Sequence, residues 1–336
     1  MLKATENLML SQNNKERIAY LGALTLLFSY AEMLLPRFVP FFRLGLGNIA
    51  ILLALELSFP SFLILTVIKA VTSCLMSGTL LSPFFIISLA QSAASGIVMY
   101  TLALGNKKCG SKLLSIYGIS IAGSAVSAVI QILLSSLYLG SGTSALLGPM
   151  LIFSIFSGIL TALLSFIMKI PVQTPVLIRN EQQKTKQPVI IIAVLILIAA
   201  AAIFMLHNHI ILFFALVISL ILQKFSGRKI LIIPHLSLWL FVIISSLFVP
   251  NGKVLFRISS FSITQGALFE GITKSLKLSA VSALSQCAAS LRPNGNGIIS
   301  LVLAYFNGLS NVLRNSEGNI VNKLRNALQS SQLIEQ

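Results

Sequence analysis

The chain alternates between long apolar blocks and short breaks marked by glycine, proline or clustered charge. The blocks run over residues 18–35, 44–58, 61–78, 83–104, 113–139, 146–168, 189–206, 209–223 and 230–249. Most are long enough, as helices, to cross ~30 Å of hydrocarbon, which takes about 20 residues. Residues 44–58 form a short block, read as tilted or re-entrant. Lipid offers no partner to a backbone N–H or C=O, so a spanning segment must bond itself, and these blocks are predicted helices. The short period-2 alternation of a transmembrane barrel is absent. The pattern predicts an all-α, polytopic transmembrane protein with about 9–10 spans.

Beyond Pro250 the character changes. Residues 263–291 keep helical spacing through Ile263, Ala267, Ile272, Leu276, Ala280 and Leu284, but carry Glu270, Lys274, Lys277 and many serines. Glu270 and Lys274 form an i,i+4 pair in the favourable order. A helix this polar is expected either to cross inside other helices or to lie along the interface.

Composition agrees with the pattern. Of 336 residues, 56% are hydrophobic and only 10% charged, with a mean hydropathy of +0.93; soluble domains carry about 25% charged residues. The net charge of +16 sits in short loops. With the N-terminus inside, Lys3, Lys15, Arg17, Lys107, Lys108, Lys112, Lys169, Arg179, Lys184, Lys186, Lys224, Arg228 and Lys229 are cytoplasmic, while Arg37, Arg43, Lys253 and Arg257 lie outside. That asymmetry is the positive-inside imprint rather than a nucleic-acid footprint, and it predicts a cytoplasmic (inner) membrane with both termini cytoplasmic. The linker 169–188 is polar and proline-punctuated, and divides a front part (1–168) from a back part (189–336). No cleavable signal peptide is evident in the polar residues up to Arg17, and the first span is expected to serve as the insertion signal.

Ionisable groups inside spans are the candidate chemistry, because each is disfavoured by about 2.5–3.5 kcal/mol at a helix centre and needs a cavity or a partner. Glu32, Glu56 and Lys69 qualify, with Arg43 just outside and Asn48, Gln91 and Gln131 as uncharged hydrogen-bonding groups. These residues are expected to line one polar pocket, or Glu32 and Lys69 to pair structurally; Glu56 is read as interfacial. Ala19 and Ala23, Gly118 and Ala122, and Ser124 and Ala128 place small residues four apart, which lets helices approach closely. Other motifs carry no chemistry. Residues 105–112 resemble a phosphate loop but lack a preceding strand. His207 and His209 have no companion ligands, and Cys74, Cys109 and Cys287 have no paired spacing. All 8 acidic residues are Glu, so no aspartate-rich magnesium–diphosphate cluster is possible. No triad or paired-carboxylate arrangement is apparent. No enzymatic activity and no bound cofactor or metal are expected.

The segments Ser29-Tyr30-Ala31-Glu32-Met33-Leu34-Leu35-Pro36 and Arg43-Leu44-Gly45-Leu46-Gly47-Asn48-Ile49, then Lys69, Ser77-Gly78 and Ser82-Pro83-Phe84-Phe85, resemble the Gx transporter family over roughly residues 17–140. That family is also known as component I of heptaprenyl diphosphate synthase, and is similar to the substrate-binding S components of energy-coupling-factor (ECF) transporters. Lys69 stands where its members usually carry Arg, which keeps the charge and loses a bidentate fork. The resemblance implies a six-helix S-component-like unit with substrate-binding residues Glu32, Arg43, Asn48, Lys69, Gln91 and Gln131, and a docking face at Ala19 and Ala23. The back half is similar to a reduced T component, through Pro234-His235, the run 261–266 and a helix ending near Arg292. Coupling residues would be Arg292, Arg314 and Arg325, and the implied partners are ECF-type ATPase subunits or another membrane subunit. The expected function is therefore carriage of a vitamin or cofactor, with a flavin (FAD, FMN or riboflavin) for Rnf-type extracytosolic flavinylation as the named candidate. The alternatives are a non-catalytic membrane subunit of a heptaprenyl diphosphate synthase and a scaffold for an electron-transfer complex.

Overall fold

The computed structural model describes residues 2–34, 44–109, 114–168, 174–178, 189–228, 230, 232–258, 261–288, 297–317, 323, 326–328, 330 and 332–334. The protein is an all-α polytopic membrane protein. The front part holds α1 (Leu2–Leu34), α2 (Asn48–Leu53), α3 (Phe59–Ser77), α4 (Pro83–Lys108), α5 (Ile116–Leu139) and α6 (Leu147–Met168). Among the described residues, the helices at 59–77, 83–108, 116–139 and 142–167 are apolar and long enough to cross a membrane.

Two boundaries differ from the hydrophobic pattern. Helix α1 begins at Leu2, well before Ile18, so its 33 residues extend past the apolar block. The expected span at 44–58 is instead the six-residue α2 followed by a single 3-10 turn, Ala54–Glu56. At 1.5 Å per residue it is far too short to cross. The glycines are the reason. Gly45 sits in the left-handed region (φ +68°), and a Cβ on Gly47 would lie 2.6 Å from Ser29 Oγ, so the chain turns through 44–47 and starts a helix only at Asn48. Ile49, Ala50, Ile51 and Leu52 of α2 are all buried. A half-length element is tolerated there because protein, not lipid, surrounds it.

Antiparallel α4 and α5 meet where a Cβ on Gly123 would lie 2.5 Å from Met99 Cγ. Helices α5 and α6 approach almost backbone to backbone at Gly158, where a Cβ would be 2.7 Å from Ile121 Cα, and Ser120 and Thr161 hydroxyls bond across the same contact at 2.8 Å.

The back part holds α7 (Val189–Met205), α8 (His209–Phe225), α9 (Ile232–Leu247), a hairpin of β2 (Val254–Ile258) and β3 (Phe261–Thr264), and α10 (Gln265–Ala288). Helix α10 packs among the other three, with Ala267, Leu276, Ala280, Val281 and Leu284 buried. Its polar groups are matched. Lys277 Nζ donates to Phe204 O at 2.8 Å, Trp239 Nε1 to Ser279 Oγ at 2.8 Å, and Gln223 Nε2 to Gln286 Oε1 at 2.9 Å. The Glu270–Lys274 pair forms at 2.6 Å.

Helix α10 also meets the ends of α5, α4 and α3 in succession. Lys274 Nζ donates to Leu139 O at 2.8 Å, Leu278 shares an apolar cluster with Leu139 and Phe84, and Ser285 Oγ accepts from Leu81 N–H at 2.9 Å. Gln286 packs on Gly78. The helix therefore passes across the end of the front bundle instead of running alongside it. Finally, α11 (Ile298–Asn315) returns to α1, with Val302 against Gly22 and Tyr305 edge-on to Tyr20 at 5.8 Å. The short strand β4 (Gln332–Ile334) pairs in parallel with β1 (Val176–Ile178). The C-terminal elements thus share the core of the front part.

Candidate functional site: a polar chamber in the front bundle

A chamber, open at its mouth, lies among α1, α3, α4, α5, α6 and the 44–48 turn. About one turn along α4 from the lining residue Ser95, Met99 and Tyr100 are buried, with the Tyr100 ring 5.0 Å from that of Phe62 and Tyr100 Oη bonded to Leu57 O at 3.1 Å. Four helices each turn a polar stripe with i, i+3/i+4, i+7 spacing toward the chamber, set among apolar lining surface. Lys69, Ser73 and Ser77 come from α3, and Ser88, Gln91, Ser92 and Ser95 from α4. Ser124, Ser127 and Gln131 come from α5, and Ser154 and Ser157 from α6. Tyr30, Phe153, Met76 and Met150 add softer surface.

The charged end is built around the glycine-rich turn. Glu32, 8% exposed, accepts from Gly45 N–H at 3.2 Å and Leu46 N–H at 3.1 Å, so its two oxygens pin the turn to α1. Ser157 Oγ donates to Leu44 O at 2.6 Å and fixes the same turn to α6. Asn48, held by this turn, receives the Lys69 ammonium on its Oδ1. Gly47 lets the turn lie against Thr25 O and the Lys69 stem, at 3.3 and 3.4 Å from its ideal Cβ position. Glu32 is therefore a positioning group for the turn that carries Asn48 and, through Asn48, orients Lys69.

Of the six residues expected to bind substrate, Glu32, Asn48, Lys69, Gln91 and Gln131 all line this chamber; Arg43 lies outside the described residues. Ala19 and Ala23, expected as a docking face, are fully buried within the chain's own core. Arg314 is exposed at the end of α11, while Arg292 and Arg325 lie outside the described residues. His209 Nδ1 bonds Thr273 Oγ1 at 3.1 Å, and no cluster of three metal-ligating side chains occurs among the described residues. The serines are what the sequence reading missed. One signal for them was present, the helical stripe spacing, but a single serine does not stand out in a membrane helix.

Comparison with known families now bears on this geometry. Residues 21–168 match the family model described as heptaprenyl diphosphate synthase component I. That is the second name of the Gx transporter family, and the match runs from α1 to the end of α6, so it takes in every wall of the chamber. It also reaches further than the segments quoted above. Residues 187–289 match a second family model, a domain of unknown function (DUF8519). Neither a curated protein nor a solved structure matches the chain. The family match and the apolar helices together support a membrane protein whose front part resembles that family.

Proposed function

We propose that the chamber binds a vitamin- or cofactor-sized molecule, and that the chain is the membrane component of an ECF-like small-molecule transporter. One observation carries the reading. Five ionisable or amide side chains, from four helices and the glycine-rich turn, converge on one hollow. Each would be disfavoured in lipid, and a structural need accounts for only some of them. Small-molecule pockets likewise carry a few convergent polar groups that fix the ligand's orientation.

A flavin is the named candidate ligand. Its hydroxylated side chain suits a serine-rich wall, a phosphate suits Lys69, and the Tyr30 and Phe153 rings offer faces for an aromatic system. The matched family's name points to a different role, as a helper subunit of a prenyl diphosphate synthase. A polyprenyl chain would leave the serine and amide groups of this lining unmatched, so the chamber favours a guest that carries polar groups. The chain is assigned no reaction of its own. The back part serves as a reduced T-component-like unit, and an ECF-type ATPase or another membrane subunit supplies energy. The protein sits in the cytoplasmic membrane with both termini inside.

Purification in mild detergent, followed by denaturation and analysis of released small molecules by fluorescence and mass spectrometry, tests this. Released flavin or another small polar molecule in near-stoichiometric amount is expected. A co-purifying soluble synthase with an empty chamber would transfer support to the prenyl reading.

A further inference from the structure

Serine in a membrane helix normally returns its hydroxyl to a carbonyl of its own helix. This protein follows the habit repeatedly: Ser154 bonds Leu151 O at 2.7 Å, Ser165 bonds Ala162 O at 2.8 Å, and Ser275 bonds Gly271 O at 2.7 Å. Ser95 and Ser124 do not. They are 2% and 6% exposed, and their hydroxyls, like the buried Gln91 Oε1, have no partner among the described residues. Such groups are rare in native folds and each calls for an explanation.

Their placement supplies one. Gln91 and Ser95 are four residues apart on one face of α4, and Ser124 lines the same chamber from α5, beside Gly123, which packs on Met99 of α4. The three all form part of the chamber lining. Ser135 and Ser245 also lack partners, but neither lines the chamber.

We infer that Gln91, Ser95 and Ser124 form a hydrogen-bonding subsite for hydroxyl or amide groups of the bound molecule, so that the ligand is a hydroxylated or amide-bearing small anion. The inference rests on the chamber being a binding site and goes further by assigning the guest's chemistry. Hydroxyls and a primary amide both donate and accept, and are matched by a guest that does the same. The ammonium of Lys69, oriented by Asn48, supplies the positive charge at the turn side of the chamber. A purely hydrocarbon guest would leave all three groups unpaired in a dry wall and is rejected for that reason.

The test compares wild type, Lys69→Ala and the double variant Ser95→Ala plus Ser124→Ala, purified in detergent. Released molecules are identified by mass spectrometry, and melting temperature is measured for the emptied proteins. The molecule from wild type is expected to carry an anionic group and at least one hydroxyl or amide. The double variant is expected to lose at least tenfold in occupancy while its emptied form melts no lower than wild type, because the removed hydroxyls make no internal bond. Full occupancy in the double variant would overturn the subsite, and would assign water to those hydroxyls. An uncharged or hydrocarbon guest would overturn the ligand class. If wild type releases nothing, gluconate, sorbitol and hexanoate are the probes. Gluconate raising the melting temperature above the other two supports the class, and hexanoate matching gluconate overturns it. No release and no shift with any probe overturns the chamber reading itself.

Discussion

The Glu32 carboxylate accepts a hydrogen bond from the main-chain N–H of Gly45 at 3.2 Å, while its second oxygen takes the neighbouring Leu46 N–H. A buried acid in the first span is thereby committed to shaping the turn that carries Asn48. Replacing Glu32 by Ala strands two N–H groups in a partly buried site, an effect of roughly 1–3 kcal/mol each. Glu32→Ala is expected to lower the melting temperature and the ligand affinity together, in thermal and binding assays on the same preparation. Unchanged melting would remove the carboxylate's role in the turn.

Lys69 behaves differently. Its ammonium rests on Asn48 Oδ1 in the chamber wall. Lys69→Met keeps most of the stem and removes the charge. With an anionic guest, the affinity should fall by roughly 10- to 100-fold, the equivalent of a charge-assisted hydrogen bond of 1.5–3 kcal/mol. Equilibrium binding and melting curves separate the outcomes, since the melting temperature of the empty protein is expected to move much less than the affinity.

The contact between the two parts is tested at Gly78. This residue caps α3 at φ +69°, and a Cβ there would lie 2.5 Å from Gln286 Cγ and 3.0 Å from its Cα. Gly78→Ala combines left-handed strain of about 1–2 kcal/mol with a clash against α10. It should loosen the end of the front bundle from α10, read as faster proteolysis in the 78–82 loop. Gly158→Ala gives the control: there the clash is with the Ile121 backbone inside the front part, and overpacking of about 1–3 kcal/mol should lower the melting temperature without exposing that loop.

Orientation is tested at Cys109, which is exposed beside Lys107 and Lys108 at the end of α4, while Cys74 is buried. With Cys287 replaced by Ser, a membrane-impermeant maleimide should label Cys109 in opened membranes and not in intact cells. Labelling in intact cells would invert the proposed topology.

Much of this architecture is readable from sequence, and the exceptions have physical causes. Glu32, Asn48, Lys69, Gln91 and Gln131 announce the chamber because charged and amide groups are conspicuous in apolar blocks. Ser95 and Ser124 are equally central and yet inconspicuous, since a hydroxyl is common in membrane helices and only its missing partner marks it. The 44–58 block does not form one continuous helix because two glycines spend its first third on a turn, a conformational fact invisible to hydropathy. Helix α10 looked too polar for lipid, and it is polar because helices surround it and Leu139 O and Phe204 O receive its lysines. Helix α11 carries an apolar stripe through Val302, Tyr305, Phe306 and Leu309, but that stripe does not name its partner, which depends on Val302 meeting the gap at Gly22.

The most direct measurement fills the chamber. Ser127 lines it from α5, and Ser127→Phe would place a ring inside the hollow. Quantified by mass spectrometry against protein recovered from membranes, the variant should be recovered at wild-type level and release less than a tenth of the small molecule that wild type releases. Equal release from the blocked and unblocked proteins would mean that the molecule binds elsewhere, and would contradict the account.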